Sequence, residues 1–286
     1  MGDKITVATV QARKGGPPLT MVTAYDTVMA TIADRAGADL ILVGDSVADN
    51  VLGLPDTLAA TMEIMIHHTA AVARARPRAL IVGDMPWLSY HISLEESVRN
   101  AGRLIREGRA EAVKLEGGRK RLPVVEALLA AEIPVMGHLG LTPQSVRVMG
   151  GYRVQGRRLE AARALVEEAR ALAGAGVFAL VLEGVPAIVA RAITALVPVP
   201  TIGIGAGPHC DGQVLVFHDV LGWHLNKRTP RFVRQYACLG EEAVTALQRF
   251  FTDVRSGAFP GEGESYRMEE EEERAFEALL NELEGG

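Results

Sequence analysis

The chain has 286 residues, 48% of them hydrophobic and 23% charged, with a net charge of −5 at pH 7. This is the composition of a globular protein long enough for a large core, and a pI near 5.9 gives no basic footprint for nucleic acid. Cys210 and Cys238 stand in neither metal-ligand nor redox spacing, no apolar run reaches the ~18–20 residues that span a bilayer, and "MGDKITVATVQARKGG" has no long apolar signal segment, so a cytoplasmic protein without membrane contact is expected.

Short apolar runs recur along the chain: "PLTMVTAY" (18–25), "DLILVGDS" (39–46), "RALIVGDMP" (78–86), "EAVKLEGG" (111–118), "IPVMGHLG" (133–140), "FALVLEGV" (178–185), "VPTIGIGAG" (199–207) and "QVLVFHDVLG" (213–222). Continuous rather than alternating apolar residues suit parallel strands buried on both faces. Helical segments separate them at 27–36, 60–75, 94–107, 121–131, 158–174 and 187–196. In the first, Val28, Ile32, Ala33 and Ala36 form the expected inner face and Gly37 the stop. Eight βα repeats predict an α/β fold, a (β/α)8 barrel; an open doubly wound sheet is the alternative but commonly has five or six strands. Only "PHCDG" separates the seventh and eighth runs, so a single helical turn or a distorted barrel is expected there.

Beyond the repeats, 241–257 reads as an amphipathic helix with Val244, Leu247, Phe250, Phe251 and Val254 on one side. The segment 267–286 reads as a second, acidic helix with Phe276, Leu279, Leu280 and Leu283 at helical spacing. Residues 1–266 are expected to form one barrel domain with its C-terminal helix, and 267–286 an acidic helical extension. Glu269–Glu273 suit the positive end of that helix.

Barrel chemistry sits at the C-terminal ends of the strands. Those ends carry Asp45 and Ser46, Asp84, Lys114 and Glu116, His138 and Glu183. Four acids in one mouth would repel strongly, and a divalent cation relieves that. Oxygen ligands favour Mg²⁺ over zinc. Each residue also has a plainer reading. Asp45 and Asp84 suit turns, Lys114 and Glu116 could pair with each other, and His138 could be a satisfied core histidine. Glu183 follows four apolar residues, so burial would raise its pKa and suit it to act as a base. Matched polar positions on five successive strands favour a shared site. "GIGAG" (203–207) lacks the final glycine of a dinucleotide fingerprint, His67 and His68 read as surface or rim residues, and the polar stretch 142–157 reads as a lid loop.

The segments "MVTAYD", "LVGDS", "HHTAAV", "VKLEGG", "GHLGLTPQSV", "GGYRVQGR", "LVLEGVP" and "IGIGAG…DGQVLVFHD" resemble the ketopantoate hydroxymethyltransferases from about residue 5 to 265. The resemblance implies a (β/α)8 barrel that assembles as a homodecamer. It implies one Mg²⁺ per subunit and transfer of the one-carbon unit of 5,10-methylenetetrahydrofolate to C3 of the 2-oxo acid 3-methyl-2-oxobutanoate. Asp45, Asp84 and Glu116 match its metal positions. Asp45, Ser46, Asp84, Lys114 and His138 match substrate-binding positions, and Glu183 matches the proton acceptor. Two departures stand out: the family's "GDSLGM" is "GDSVAD" here, and the cysteine of "LECVP" is Gly184. Two other readings stay open. One is a Mg²⁺ enzyme of the isocitrate-lyase and phosphonomutase group, although neither cysteine lies at an early strand end. The other is a barrel that binds or assembles without turnover.

Overall fold

The computed structural model describes residues 3–225 and 229–285. Eight strands, β1 Leu19–Thr23, β2 Leu40–Val43, β3 Leu80–Asp84, β4 Ala112–Glu116, β5 Val135–Gly140, β6 Ala179–Glu183, β7 Thr201–Ile204 and β8 Gly212–Leu215, close into one barrel in sequence order. The pairs are parallel, and β1 meets β8 from Leu19↔Gly212 to Val22↔Leu215.

Strand side chains alternate between two cores. Leu40, Leu42, Leu80, Val82, Ala112, Met136, Ala179 and Val181 fill the barrel interior. Ile41, Val43, Ile81, Val113, Leu115, Val135, Leu180 and Leu182 pack outward against the helices. Both faces are buried, which is why the runs are continuous. The same alternation carries Asp84, Lys114, Glu116, His138 and Glu183 into the barrel mouth, each two or four residues beyond an inward apolar residue.

The crossover helices Thr27–Arg35, Met62–Arg74, Leu94–Arg106, Leu122–Ala130, Leu159–Ala175 and Ala187–Leu196 match the expected segments. Asp26, Thr61 and Ser93 cap the first three, each accepting a hydrogen bond from a backbone N–H of the first turn. The expected inner face of the first helix is corrected. Val28 is 66% and Ile32 46% exposed, while Ala30 and Ala33 are buried. Met29 of the same helix also packs against the core.

The closure differs from expectation in two ways. "QVLVFHDVLG" is not one strand: β8 ends at Leu215 and a helix runs Phe217–Leu221. Thr23 Oγ1 accepts from the Phe217 amide at 3.1 Å and so satisfies a donor in the first turn of that helix. No helical turn spans β7 to β8; the link is a plain turn, and their ladder has two residue pairs, Ile202↔Gly212 and Gly203↔Gln213. Asp211 fastens this thin seam. Its Oδ2 accepts from Thr201 N at 2.8 Å and Thr201 Oγ1 at 3.1 Å, and its Oδ1 accepts from Gly15 N at 3.0 Å. Lys14 Nζ stands 2.9 Å away.

Burial raises the Asp211 pKa, but Lys14 and the Thr201 and Gly15 amides outweigh it and hold the carboxyl below its usual range. Asp211→Ala is expected to cost about 3 kcal/mol of unfolding free energy in urea titrations, since it strands a lysine and several donors. A loss below about 0.5 kcal/mol, typical of a neutral surface site, would contradict this role. A lowered folded pKa makes the wild-type contribution full above the unfolded value near ~3.9. It is lost as pH falls through the folded value.

The segments read as C-terminal helices form helices Leu239–Ser256 and Glu270–Glu284. Their apolar stripes face solvent in the single chain: Leu247, Phe250, Phe251 and Val254 on the first are 44–53% exposed, and Phe276, Leu279, Leu280 and Leu283 on the second 41–70%.

Candidate active site

Strand register sets the site. Asp84 lies beside Lys114, Glu116 beside His138, and Glu183 beside Gly140. Gly140 is required there. Its φ is +95°, and a Cβ would fall 2.2 Å from the Glu183 carbonyl oxygen. That carbonyl accepts from the Leu141 amide at 2.8 Å, which ties the ends of β5 and β6 together. Asp45 follows β2 in a turn, and its amide donates to Asp84 Oδ2 at 3.3 Å.

The side chains form one buried chain of charge. Lys114 Nζ stands 2.8 Å from Asp84 Oδ1 and 4.0 Å from Glu116 Oε1. His138 Nδ1 is 3.3 Å from Glu116 Oε1, and its Nε2 is 3.2 Å from Glu183 Oε2. Lys114 therefore pairs first with Asp84; Glu116 is its more distant partner. Glu183 faces His138 and keeps 16% side-chain exposure, so it is not enclosed by apolar residues as its strand suggests. Ser46 Oγ hydrogen-bonds Tyr25 Oη at 2.8 Å. The cavity among Asp45, Ser46, Asp84, Lys114, Glu116, His138 and Glu183 measures about 110 Å³.

Burial pushes the Asp45 carboxyl well up, reinforced by Asp84 and Glu116 against Lys114 and Gln144. Burial also raises Asp84, with Lys114 opposing and Glu116 adding to the rise. Glu116 goes the other way: burial raises it, but His138, Lys114 and the Gln144 amide together lower it. Burial and Lys114 depress His138, yet Glu116 and Glu183 lift it to about 9. His138 Nδ1 also lies 3.3 Å from Lys114 Nζ.

Four carboxyl groups thus crowd around Lys114 and His138, and their mutual repulsion adds to the upward shift of Asp45 and Asp84. A divalent cation would relieve that repulsion, and the neighbouring donors are hard oxygens. Among the described residues no three His, Cys, Asp or Glu side chains are closed around one point.

The sequence gives no hint of Gln144. Its Nε2 donates to Asp45 Oδ2 at 2.9 Å and to the Met85 carbonyl at 3.0 Å, and its amide donates to Glu116 Oε2 at 3.0 Å. Tyr90 Oη donates to Gln144 Oε1 and accepts from the Glu116 amide at 3.2 Å. The expected lid at 142–157 is therefore corrected in its first part, since Thr142 and Gln144 are buried; Val148 and Tyr152 beyond them are exposed. The altered stretch after β2 forms a helix, Val47–Asn50, with Val47 and Ala48 buried. Gly184 adopts φ +54°, a conformation that favours glycine. His67 is exposed and His68 bonds the Tyr25 carbonyl, so both lie away from the acids.

The sequence model of a family described as ketopantoate hydroxymethyltransferase matches residues 4–262. A 3-methyl-2-oxobutanoate hydroxymethyltransferase of Moorella thermoacetica is 56% identical over 265 residues, covering 92% of this chain and 98% of its own. One from Syntrophobacter fumaroxidans is 51% identical over 279 residues, covering 98% and 99%. Among solved structures, a 2,3-dimethylmalate lyase of the PEP mutase/isocitrate lyase superfamily aligns with TM-score 0.56 at 18% identity over 98% of both chains. A phosphonopyruvate hydrolase in complex with oxalate and Mg²⁺ aligns with TM-score 0.59 at 14% identity, again over 98% of both. At such identity the two structures speak for the barrel alone.

Proposed function

Because the chain belongs to the ketopantoate hydroxymethyltransferase family, we propose that its barrel mouth moves the one-carbon unit of 5,10-methylenetetrahydrofolate onto C3 of 3-methyl-2-oxobutanoate. The observation that carries the site assignment is the run of buried Asp45, Asp84, Lys114, Glu116 and His138, with partly exposed Glu183 beside them, across adjacent strand ends.

Asp45, Asp84 and Glu116 would hold Mg²⁺, with Gln144 fixing the first and third of these carboxylates. Bound there, Mg²⁺ supplies Lewis acidity that draws electrons from the keto group and acidifies the C3 proton. Lys114 places a fixed positive charge for the substrate carboxylate, and Ser46, held by Tyr25, offers a hydroxyl beside it. Glu183 takes the C3 proton as general base, and the C–H electron pair passes into the enolate. His138 Nε2, 3.2 Å from Glu183 Oε2, helps to position that carboxylate. The methylene carbon gains one bond to C3 and one to a water oxygen as its two bonds to the folate nitrogens break. Those nitrogens take up the proton held by Glu183 and one proton of the water, and tetrahydrofolate leaves.

Proton–deuterium exchange at C3, followed by NMR with Mg²⁺ and without folate, tests this reading. Mg²⁺-dependent exchange is expected; exchange that ignores Mg²⁺, or none, would contradict it.

The exposed stripe of helix Leu239–Ser256 supports self-association of the chain, with the homodecamer as the family expectation. Light scattering should return a mass several times the 30.6 kDa of one chain, and a monomer would contradict this.

A further inference from the structure

Tyr90 reaches the barrel mouth from the loop that follows β3. Leu88 in that loop holds φ at +69°, a left-handed backbone that strains a leucine and persists where the surroundings over-determine it. The bend is clamped on both sides. Ser89 Oγ donates to the Pro86 carbonyl at 2.7 Å, and Asn100 Nδ2 donates to the Ser89 carbonyl at 2.8 Å. The loop delivers a Tyr90 side chain that is 1% exposed, with the Arg121 guanidinium 5.4 Å from its ring centroid.

The Tyr90 hydroxyl completes a closed circuit of hydrogen bonds through two of the three carboxylates assigned to Mg²⁺. The Glu116 amide donates to Tyr90 Oη, Tyr90 Oη donates to Gln144 Oε1, Gln144 Nε2 donates to Asp45 Oδ2, and the Gln144 amide returns to Glu116 Oε2. The phenol proton sets the sense of this circuit. Because Tyr90 gives its proton to one end of the carboxamide, that end is the oxygen, and the –NH2 end faces Asp45 and the Met85 carbonyl. The inverted carboxamide would set an oxygen against those two acceptors. The third carboxylate, Asp84, is held independently: Lys114 Nζ stands 2.8 Å from Oδ1, and the Asp45 amide donates to Oδ2.

We propose that Tyr90 is a positioning residue that acts through Gln144, fixing the spacing of the Asp45 and Glu116 carboxylates and so making the site selective for an ion as small as Mg²⁺. The assignment rests on the metal reading above. Mg²⁺ demands near-octahedral oxygens at about 2.0–2.1 Å, whereas Ca²⁺ accepts about six to eight oxygens at roughly 2.3–2.6 Å in adaptable geometry. Loosened carboxylates therefore penalise Mg²⁺ more than Ca²⁺. Tyr90→Phe keeps the aromatic ring beside Arg121 but has no proton to give, so the carboxamide is released to invert and Asp45 loses its donor. Gln144→Leu removes the same donor directly and leaves Tyr90 with the Glu116 amide.

The test is calorimetric titration of the metal-free full-length protein with Mg²⁺ and with Ca²⁺, below the melting transition of each variant. Gln144→Leu should weaken Mg²⁺ binding by about 10–100-fold, the usual effect of removing a partner of a ligating carboxylate, and Tyr90→Phe by about tenfold. Ca²⁺ affinity should change by less than about threefold in both, so that the preference for Mg²⁺ falls. In Tyr90→Phe/Gln144→Leu the loss should equal that of Gln144→Leu alone, because Tyr90 has nothing left to act through. Gln144→Leu tests the selectivity even where Tyr90→Phe lowers the stability of the fold. Equal losses for the two ions, unchanged Mg²⁺ binding in Gln144→Leu, or single losses that add in the double variant would overturn the proposal. Absence of Mg²⁺ binding by the wild-type protein would sink the metal reading itself, whereas Mg²⁺ binding that both variants keep sinks only the positioning role.

Discussion

Glu183→Gln is expected to lower the C3 exchange rate by about 10²–10⁴-fold while leaving the fold and Mg²⁺ binding intact, the usual cost of losing a general base. Two carboxylates, Glu116 and Glu183, flank the His138 ring and raise its pKa against burial and Lys114, which favours the protonated form. A protonated imidazole cannot accept the C3 proton. Glu183 can, because its carboxylate retains solvent exposure at the mouth, whereas Lys114, Asp84 and Glu116 are locked in the buried network. Glutamine keeps the size of the side chain and one acceptor oxygen. A purely structural Glu183 would therefore survive the change with near-normal exchange, and that result would contradict its role as base.

Asp45→Asn should remove Mg²⁺-dependent activity, by at least about 10²-fold in kcat/KM, because Lewis-acid stabilisation contributes several kcal/mol. The metal-free protein should behave in the opposite sense. Burial and two neighbouring carboxylates raise the Asp45 pKa, so its ionised form opposes folding. That cost is absent below the unfolded pKa and grows as pH rises above it. At neutral pH the variant should melt at or above the wild-type temperature without Mg²⁺, since the introduced amide oxygen can still accept from Gln144. The Mg²⁺-induced rise in melting temperature should disappear. An Asp45→Asn protein that keeps the full Mg²⁺ shift would show that the ion sits elsewhere.

The barrel was legible because burial on both faces writes eight apolar runs, and the strand-end acids were legible because the same alternation turns them inward. Four features were not. "QVLVFHDVLG" is apolar throughout, and such a run does not distinguish a buried strand from a strand that breaks into a short helix. The first crossover helix turns Met29, Ala30 and Ala33 to the core and leaves the larger Val28 and Ile32 exposed, and apolar spacing alone did not separate the two faces. Gln144 sits on a polar loop with no periodicity, and its place between Asp45 and Glu116 depends on strands distant in sequence. Asp211 is hidden for the same reason: its partners Lys14, Gly15 and Thr201 come together only when the barrel closes.

The central claim joins one carbon atom of the folate to one carbon atom of the oxo acid. The most direct measurement supplies 5,10-methylenetetrahydrofolate labelled with ¹³C at the methylene, with 3-methyl-2-oxobutanoate and Mg²⁺, and follows the label by NMR. The account predicts a labelled hydroxymethyl carbon bonded to C3, formed only when Mg²⁺ is present. Label that stays on the folate, or that is released without joining C3, would contradict it.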